Sequence, residues 1–134
     1  MENQTVTHER GPETILVVED EESLLGLVDD FLRGEGYKVI TARDGLEAAE
    51  SYATHRESIG LVMTDMGLPK LGGKDLLKRL HQINPNARII MSSGYFEPAL
   101  KTEMINAGAN AFIPKPFALV DVLNTVRNVL DSGS

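Results

Sequence analysis

Apolar residues along this chain fall into two alternating textures. Short runs rich in β-branched residues occur at Thr14–Val18, Tyr37–Thr41, Ile59–Thr64, Arg88–Met91 and Ala111–Ile113, and each reads as a buried strand. The longer stretches between them carry apolar residues at helical spacing. Leu24, Leu25, Val28, Phe31 and Leu32 form one stripe, ended by Gly34 and Gly36. Leu119, Val122, Leu123, Val126, Val129 and Leu130 form another, with Asp121, Asn124 and Arg127 on the opposite side. Further helices are expected near residues 45–55, 74–83 and 96–107. The last of these stops at Asn106-Ala107-Gly108, where Gly108 is placed to adopt a positive φ.

The resulting order is βαβαβαβαβα. Strict alternation with apolar strands predicts an α/β domain: a five-stranded parallel sheet with helices on both faces. Right-handed crossovers leave few topologies, and five strands favour the order 2-1-3-4-5 of flavodoxin-like folds. In such sheets the functional crevice lies beyond the carboxyl ends of the strands.

Composition narrows the function classes. A chain of 134 residues suits one domain with an adequate core. It has no cysteine, which excludes disulfides, a thiolate zinc site and a cysteine nucleophile. A net charge of −7 would repel a phosphate backbone, so nucleic acid is a poor partner. The longest aliphatic run, Ile15-Leu16-Val17-Val18, is far shorter than the roughly 20 residues of a membrane helix, so no membrane contact is expected. Residues 1–12 lack any apolar period or secretory signal, and read as a flexible leader or linker remnant. A cytoplasmic location is expected by default. The domain is expected over 13–131, with a frayed tail at 132–134.

The strand-end rule then selects the chemistry. The first strand ends in Glu19-Asp20-Glu21-Glu22, the third in Thr64-Asp65, the fourth in Ser92-Ser93-Gly94 and the fifth in Pro114-Lys115-Pro116. Carboxylates crowded at one edge resist ionising together unless a cation relieves them. A hard divalent ion such as Mg²⁺ takes carboxylate and phosphate oxygens. Asp20 and Asp65, leaving apolar strands together, suit such a site. Glu21 and Glu22 suit the first turn of the following helix instead. Lys115, between two prolines, is a point charge able to bind phosphate, and its bond to Pro116 is able to take the cis form. Ser92 reads as a helix cap or as facing away from the crevice. Ser93 is followed by Gly94, which lets a ligand approach the backbone.

Four segments, ILVVEDEESL (15–24), LVMTDMGLPKLGG (61–73), IIMSSG (89–94) and GANAFIPKPF (108–117), resemble the receiver domain of two-component response regulators, the CheY-like family. The resemblance spans Thr14 to about Asp131. Asp65 and Ser93 lie 28 residues apart, and Ser93 and Lys115 lie 22 apart, as is usual there. It implies that Asp65 is a phosphoacceptor, a carboxylate nucleophile that forms an acyl phosphate. Glu19 and Asp20 match the acidic pair that holds Mg²⁺, with the backbone carbonyl of Gly67 as a further ligand. Ser93 holds the switch hydroxyl position, Lys115 the phosphate-binding lysine with a cis bond to Pro116, and Phe112 the switching aromatic. The phosphoryl donor would be a phosphohistidine on a histidine kinase or a histidine phosphotransfer domain. Gly67 and Tyr95 occupy positions that tune phosphate lifetime, and slow self-dephosphorylation is expected.

Other readings carry different expectations. An aspartyl phosphatase would need a second acid two residues after the nucleophile, and Asp65-Met66-Gly67 lacks one. A phosphorylation-independent pseudo-receiver would keep the fold as an interaction module. The chain is thus expected to be no enzyme beyond its own phosphorylation and dephosphorylation. Gly11-Pro12-Glu13-Thr14-Ile15-Leu16 is similar to the junction where receivers follow a kinase's ATP-binding domain. A receiver belonging to a hybrid histidine kinase is expected on that ground, with a stand-alone regulator as the alternative. Partner choice is expected on the exposed face of the first helix, at Glu22, Gly26, Asp29 and Asp30.

Overall fold

The structure is a computed structural model that describes residues 13–94 and 97–132. The leader 1–12, Tyr95, Phe96, Gly133 and Ser134 lie outside the described residues. Ten elements alternate along the chain: β1 (Thr14–Val18), α1 (Glu22–Gly34), β2 (Lys38–Ala42), α2 (Gly45–His55), β3 (Ile59–Asp65), α3 (Gly73–Ile83), β4 (Ile89–Ser93), α4 (Pro98–Asn106), β5 (Ala111–Pro114) and α5 (Leu119–Ser132). All strand pairs are parallel, in the order β2-β1-β3-β4-β5. That is the α/β architecture expected from the alternation of strand and helix patterns.

Two apolar layers follow from the two-residue period of the strands. Ile15, Val17, Leu61, Met63, Ile90 and Ile113 face α1 and α5. Leu16, Val18, Val62, Ile89 and Met91 face α2, α3 and α4. Because both faces are covered, the strands carry continuous apolar runs, such as Ile15–Val18 and Leu61–Met63, rather than a strict alternation. The helices supply matching stripes. α1 buries Leu25, Val28 and Leu32, and α5 buries Val122, Val126, Val129 and Leu130.

Element ends differ from the expectations by one or two residues, for local reasons. β2 begins at Lys38 because the N–H of Tyr37 donates to the carbonyl of Leu32 (3.1 Å) and closes α1. Gly36, at φ 99°, makes that turn, while Gly34 remains within α1. β4 continues through Ser92 and Ser93 because both neighbours extend that far, with Asp65 opposite Ser92 and Pro114 opposite Ser93. Hydroxyl residues give no apolar signal, so the pattern alone stopped at Met91. α4 begins at Pro98, whose fixed φ suits a first helical turn. It ends as expected: Gly108 takes φ 108°, and the N–H groups of Gly108 and Ala109 return to Ile105 and Met104. Ser132, expected in the frayed tail, instead closes α5. Among the described residues no helix is long and apolar enough to cross a membrane.

Candidate functional site

The carboxyl ends of β1, β3, β4 and β5 meet at one edge of the sheet, and the ladder continues into the loops there. The N–H of Glu19 donates to Ala42 (3.0 Å), extending β1 one residue past its end. The carbonyls of Ser92 and Ser93 accept from Met66 (2.9 Å) and Lys115 (2.8 Å). β4 therefore fixes both the residue after Asp65 and the backbone of Lys115. Gly73 closes the other side. A Cβ there would stand 3.0 Å from the carbonyl of Asp65 and 2.8 Å from the Cα of Met66, so the start of α3 can lie against the site only as glycine.

Within this frame Glu19, Asp20 and Asp65 converge, with one carboxylate oxygen of each within 4.8 Å of the others. Glu19 is buried at 6% exposure, Asp65 is half-buried, and Asp20 is open to solvent. The Nζ of Lys115 donates to Glu19 Oε1 at 2.8 Å and lies 3.5 Å from Asp65 Oδ1. The other oxygen of Glu19 accepts from the N–H of Glu21 at 3.1 Å. Burial raises the pKa of Glu19 above the usual 4.5, against the opposing pull of Lys115 and the Glu21 N–H. Burial opposes the charge of Lys115 too. The hydrogen bond to Glu19 and the charges of Asp65 and Glu19 outweigh it, so its pKa is raised above 10.5.

The donor set fits a hard cation: three carboxylates of graded exposure, with no nitrogen or sulfur ligand among them. A Cβ placed on Gly67 would stand 4.0 Å from Asp65 Oδ2, so residue 67 lies directly against the central carboxylate and its glycine leaves that side open. Glu21 and Glu22 stay out of the cluster. Glu21 holds the N-cap position of α1 without a side-chain capping bond, and Glu22 pairs with Arg43 at 2.7 Å. Ser92 is not a helix cap, since Glu97 holds that position for α4. It is buried opposite Asp65 and lines a narrow cleft with Glu19, Thr64, Asp65 and Phe117.

Ser93 ends β4, joined through its carbonyl to Lys115. By the two-residue period it shares a sheet face with Met91, the face on which Phe112 packs. Phe112, on β5 opposite Met91, is half-buried, and the ammonium of Lys101 stands 5.3 Å from the centre of its ring. The Lys115–Pro116 bond is cis, as the sequence suggested. Two relationships were not legible in the sequence. One is that Lys115 bonds Glu19 more closely than Asp65, across 96 residues of chain. The other is the placement of Lys101 over Phe112, because a lysine on a helix flank gives no signal of its own.

Comparison with known proteins gives a consistent result. The model of the response regulator receiver domain matches residues 15–127. The chemotaxis protein CheY of Bacillus subtilis is 36% identical over 118 residues, covering 87% of this chain and 97% of that protein. The sensor kinase CckA of Brucella abortus is 32% identical over 121 residues, covering 90% of this chain, which spans only 13% of the kinase's length. Among solved structures, a CheX–CheY–BeF3–Mg²⁺ complex from Borrelia burgdorferi superimposes with a TM-score of 0.87 at 31% identity, covering 92% of this chain and 94% of that one. The sheet order, the acidic cluster with its lysine, and the match across most of the chain place this protein in the response regulator receiver domain family of two-component systems.

Proposed function

We propose that the chain accepts a phosphoryl group on Asp65 from a phosphohistidine, carried by a histidine kinase or a histidine phosphotransfer domain. The observation that carries this is the convergence of Glu19, Asp20 and Asp65 within 4.8 Å, with the ammonium of Lys115 3.5 Å from Asp65. In the reaction an oxygen of Asp65 attacks phosphorus, the N–P bond of the donor breaks, and the imidazole leaves with its electron pair. The chain's work is positioning and charge compensation. Lys115 is held by Glu19 and aimed by its backbone bond to Ser93, so it meets one phosphoryl oxygen without reorganising. Ser93 supplies a hydroxyl from the adjoining strand end.

Glu19, Asp20, Asp65 and the carbonyl of Gly67 would hold Mg²⁺, which when bound neutralises charge on the carboxylates and on the incoming phosphoryl oxygens. Ser93 and Phe112 share the sheet face beneath α4, so a hydroxyl drawn toward the phosphoryl group leaves room for the ring to move inward. That gives a local charge change a way to alter the face around α4 and β5. Gly67 presents no side chain to align an attacking water, which supports a long-lived acyl phosphate. Gly67→Asn is expected to shorten that lifetime, as measured by loss of bound phosphate over time. The likeness to a segment of a sensor kinase supports placing this receiver within a hybrid histidine kinase.

The test is titration with beryllofluoride and Mg²⁺, followed by NMR. Saturable changes around Asp65, Ser93 and Phe112 are expected, and Asp65→Asn is expected to remove them. Absence of any change in the unaltered protein would favour a phosphorylation-independent interaction module.

A further inference from the structure

α4 is held to the domain by little apolar burial. Met104 is its one buried residue, with Leu100 and Ala107 partly covered beside it. At about 100° per residue, Lys101 and Glu103 flank the Leu100–Met104 stripe on opposite sides. Each reaches a different neighbour. Glu103 pairs with Lys74 at the start of α3. Lys101 places its ammonium 5.3 Å from the ring centre of Phe112 on β5. The carboxyl end of α4 is seated separately, with Gly108 packed closely on the ring of His81.

We propose that Lys101 and Glu103 are positioning residues that tether α4 from its two flanks, and that the tether opposes the inward movement of Phe112. The cation over the ring belongs to the half-buried ring position. A ring drawn further under α4 leaves the ammonium and loses the attraction of its face for the charge. Breaking the tether therefore favours the inward ring. By reciprocity, whatever favours the inward ring raises affinity for the ligand that selects it. The link to Asp65 rests on the phosphoacceptor reading, whereas the tether itself does not. Lys74 and Glu103 are 42% and 49% exposed, so their pair contributes less than the cation over the ring.

The test uses Lys101→Gln, Glu103→Gln and Lys101→Arg with two readouts. The first is amide hydrogen exchange over Pro98–Asn106. The second is the midpoint of a beryllofluoride–Mg²⁺ titration. Lys101→Gln is expected to speed α4 exchange and to raise beryllofluoride affinity about two- to fivefold, and Glu103→Gln up to about twofold. Exchange in α3 should be unaffected, and Lys101→Arg should restore both readouts. Unchanged α4 exchange in both glutamine variants overturns the tether. Faster exchange with an unchanged midpoint overturns its coupling to Asp65. If the unaltered protein takes up no beryllofluoride, the phosphoacceptor reading fails instead, and exchange alone decides the tether.

Discussion

α3 and α4 cover the same face of the sheet, yet they are attached in different ways. α3 buries Leu76, Leu77 and Leu80 completely, and its first residue, Gly73, is locked against Asp65 and Met66. α4 buries Met104 and otherwise relies on partly covered residues and charged flanks. Close-packed apolar contact gives an element one position, whereas a few solvent-facing attractions allow it two. The carboxyl edge of the sheet is thus bordered by one fixed helix and one lightly held helix. The proposed switch would use both: a rigid frame for the carboxylates and an adjustable cover for Ser93 and Phe112.

The contrast is sharpened most by truncation in the two helices. Leu77→Ala is expected to cost about 2–5 kcal/mol in urea-induced unfolding, because the surrounding core collapses only partly into the space. Ile105→Ala, on the exposed side of α4, should stay within about 0.5 kcal/mol. Equal losses at the two positions would break the comparison.

A smaller effect is expected inside the frame. Lys115→Met leaves the buried Glu19 carboxylate without its ammonium, costing roughly 1–3 kcal/mol near neutral pH after allowance for the partial exposure of the lysine. The pH dependence has a definite sign. Without Lys115, the folded-state pKa of Glu19 rises further above its unfolded value. The extra loss of stability then develops as pH rises through the folded-state pKa of Glu19 in the unaltered protein, which lies above 4.5, and should vanish below it. In the unaltered protein the raised pKa of Lys115 contributes stability that is complete below 10.5 and lost as pH climbs through the folded-state value. Urea titrations of both proteins across pH check each sign.

The smallest effect concerns the cation. In the proposed site Glu19 would have to be ionised to hold Mg²⁺, and its pKa is raised above the usual 4.5. Protons should therefore begin to compete at a higher pH than for an exposed glutamate. Calorimetric titration is expected to show Mg²⁺ affinity falling with decreasing pH by up to about tenfold per unit. A pH-independent affinity would remove Glu19 from the metal-binding set.

Much of this arrangement was legible in the sequence because its signals are local or topological. β1 is buried over its whole length and apolar from Ile15 to Val18 because both its faces are covered, and its bounds match the sequence expectation. The strand-end rule alone brings Glu19, Asp65, Ser93 and Lys115 to one edge. What escaped were features set by depth and by distant chain. Nothing near Glu19 signals that it is the more buried acid and the closer partner of Lys115. Ser92 and Ser93 hid the end of β4 because polar residues extend a strand whenever both neighbours are present. The loop before α3 places Lys70 and Leu71 at positive φ, where propensity would have put glycine. Leu71 there packs on the core, its carbonyl oxygen standing where a Cβ on Gly45 would clash with it.

The most direct measurement is mass spectrometry of the protein after incubation with acetyl phosphate and Mg²⁺. One phosphoryl group is expected, carried by the peptide that contains Asp65, and it should be missing from the Asp65→Asn variant and in the presence of a chelator. A phosphoryl group on another residue, or an unmodified chain under conditions where a known receiver is labelled, would contradict the account.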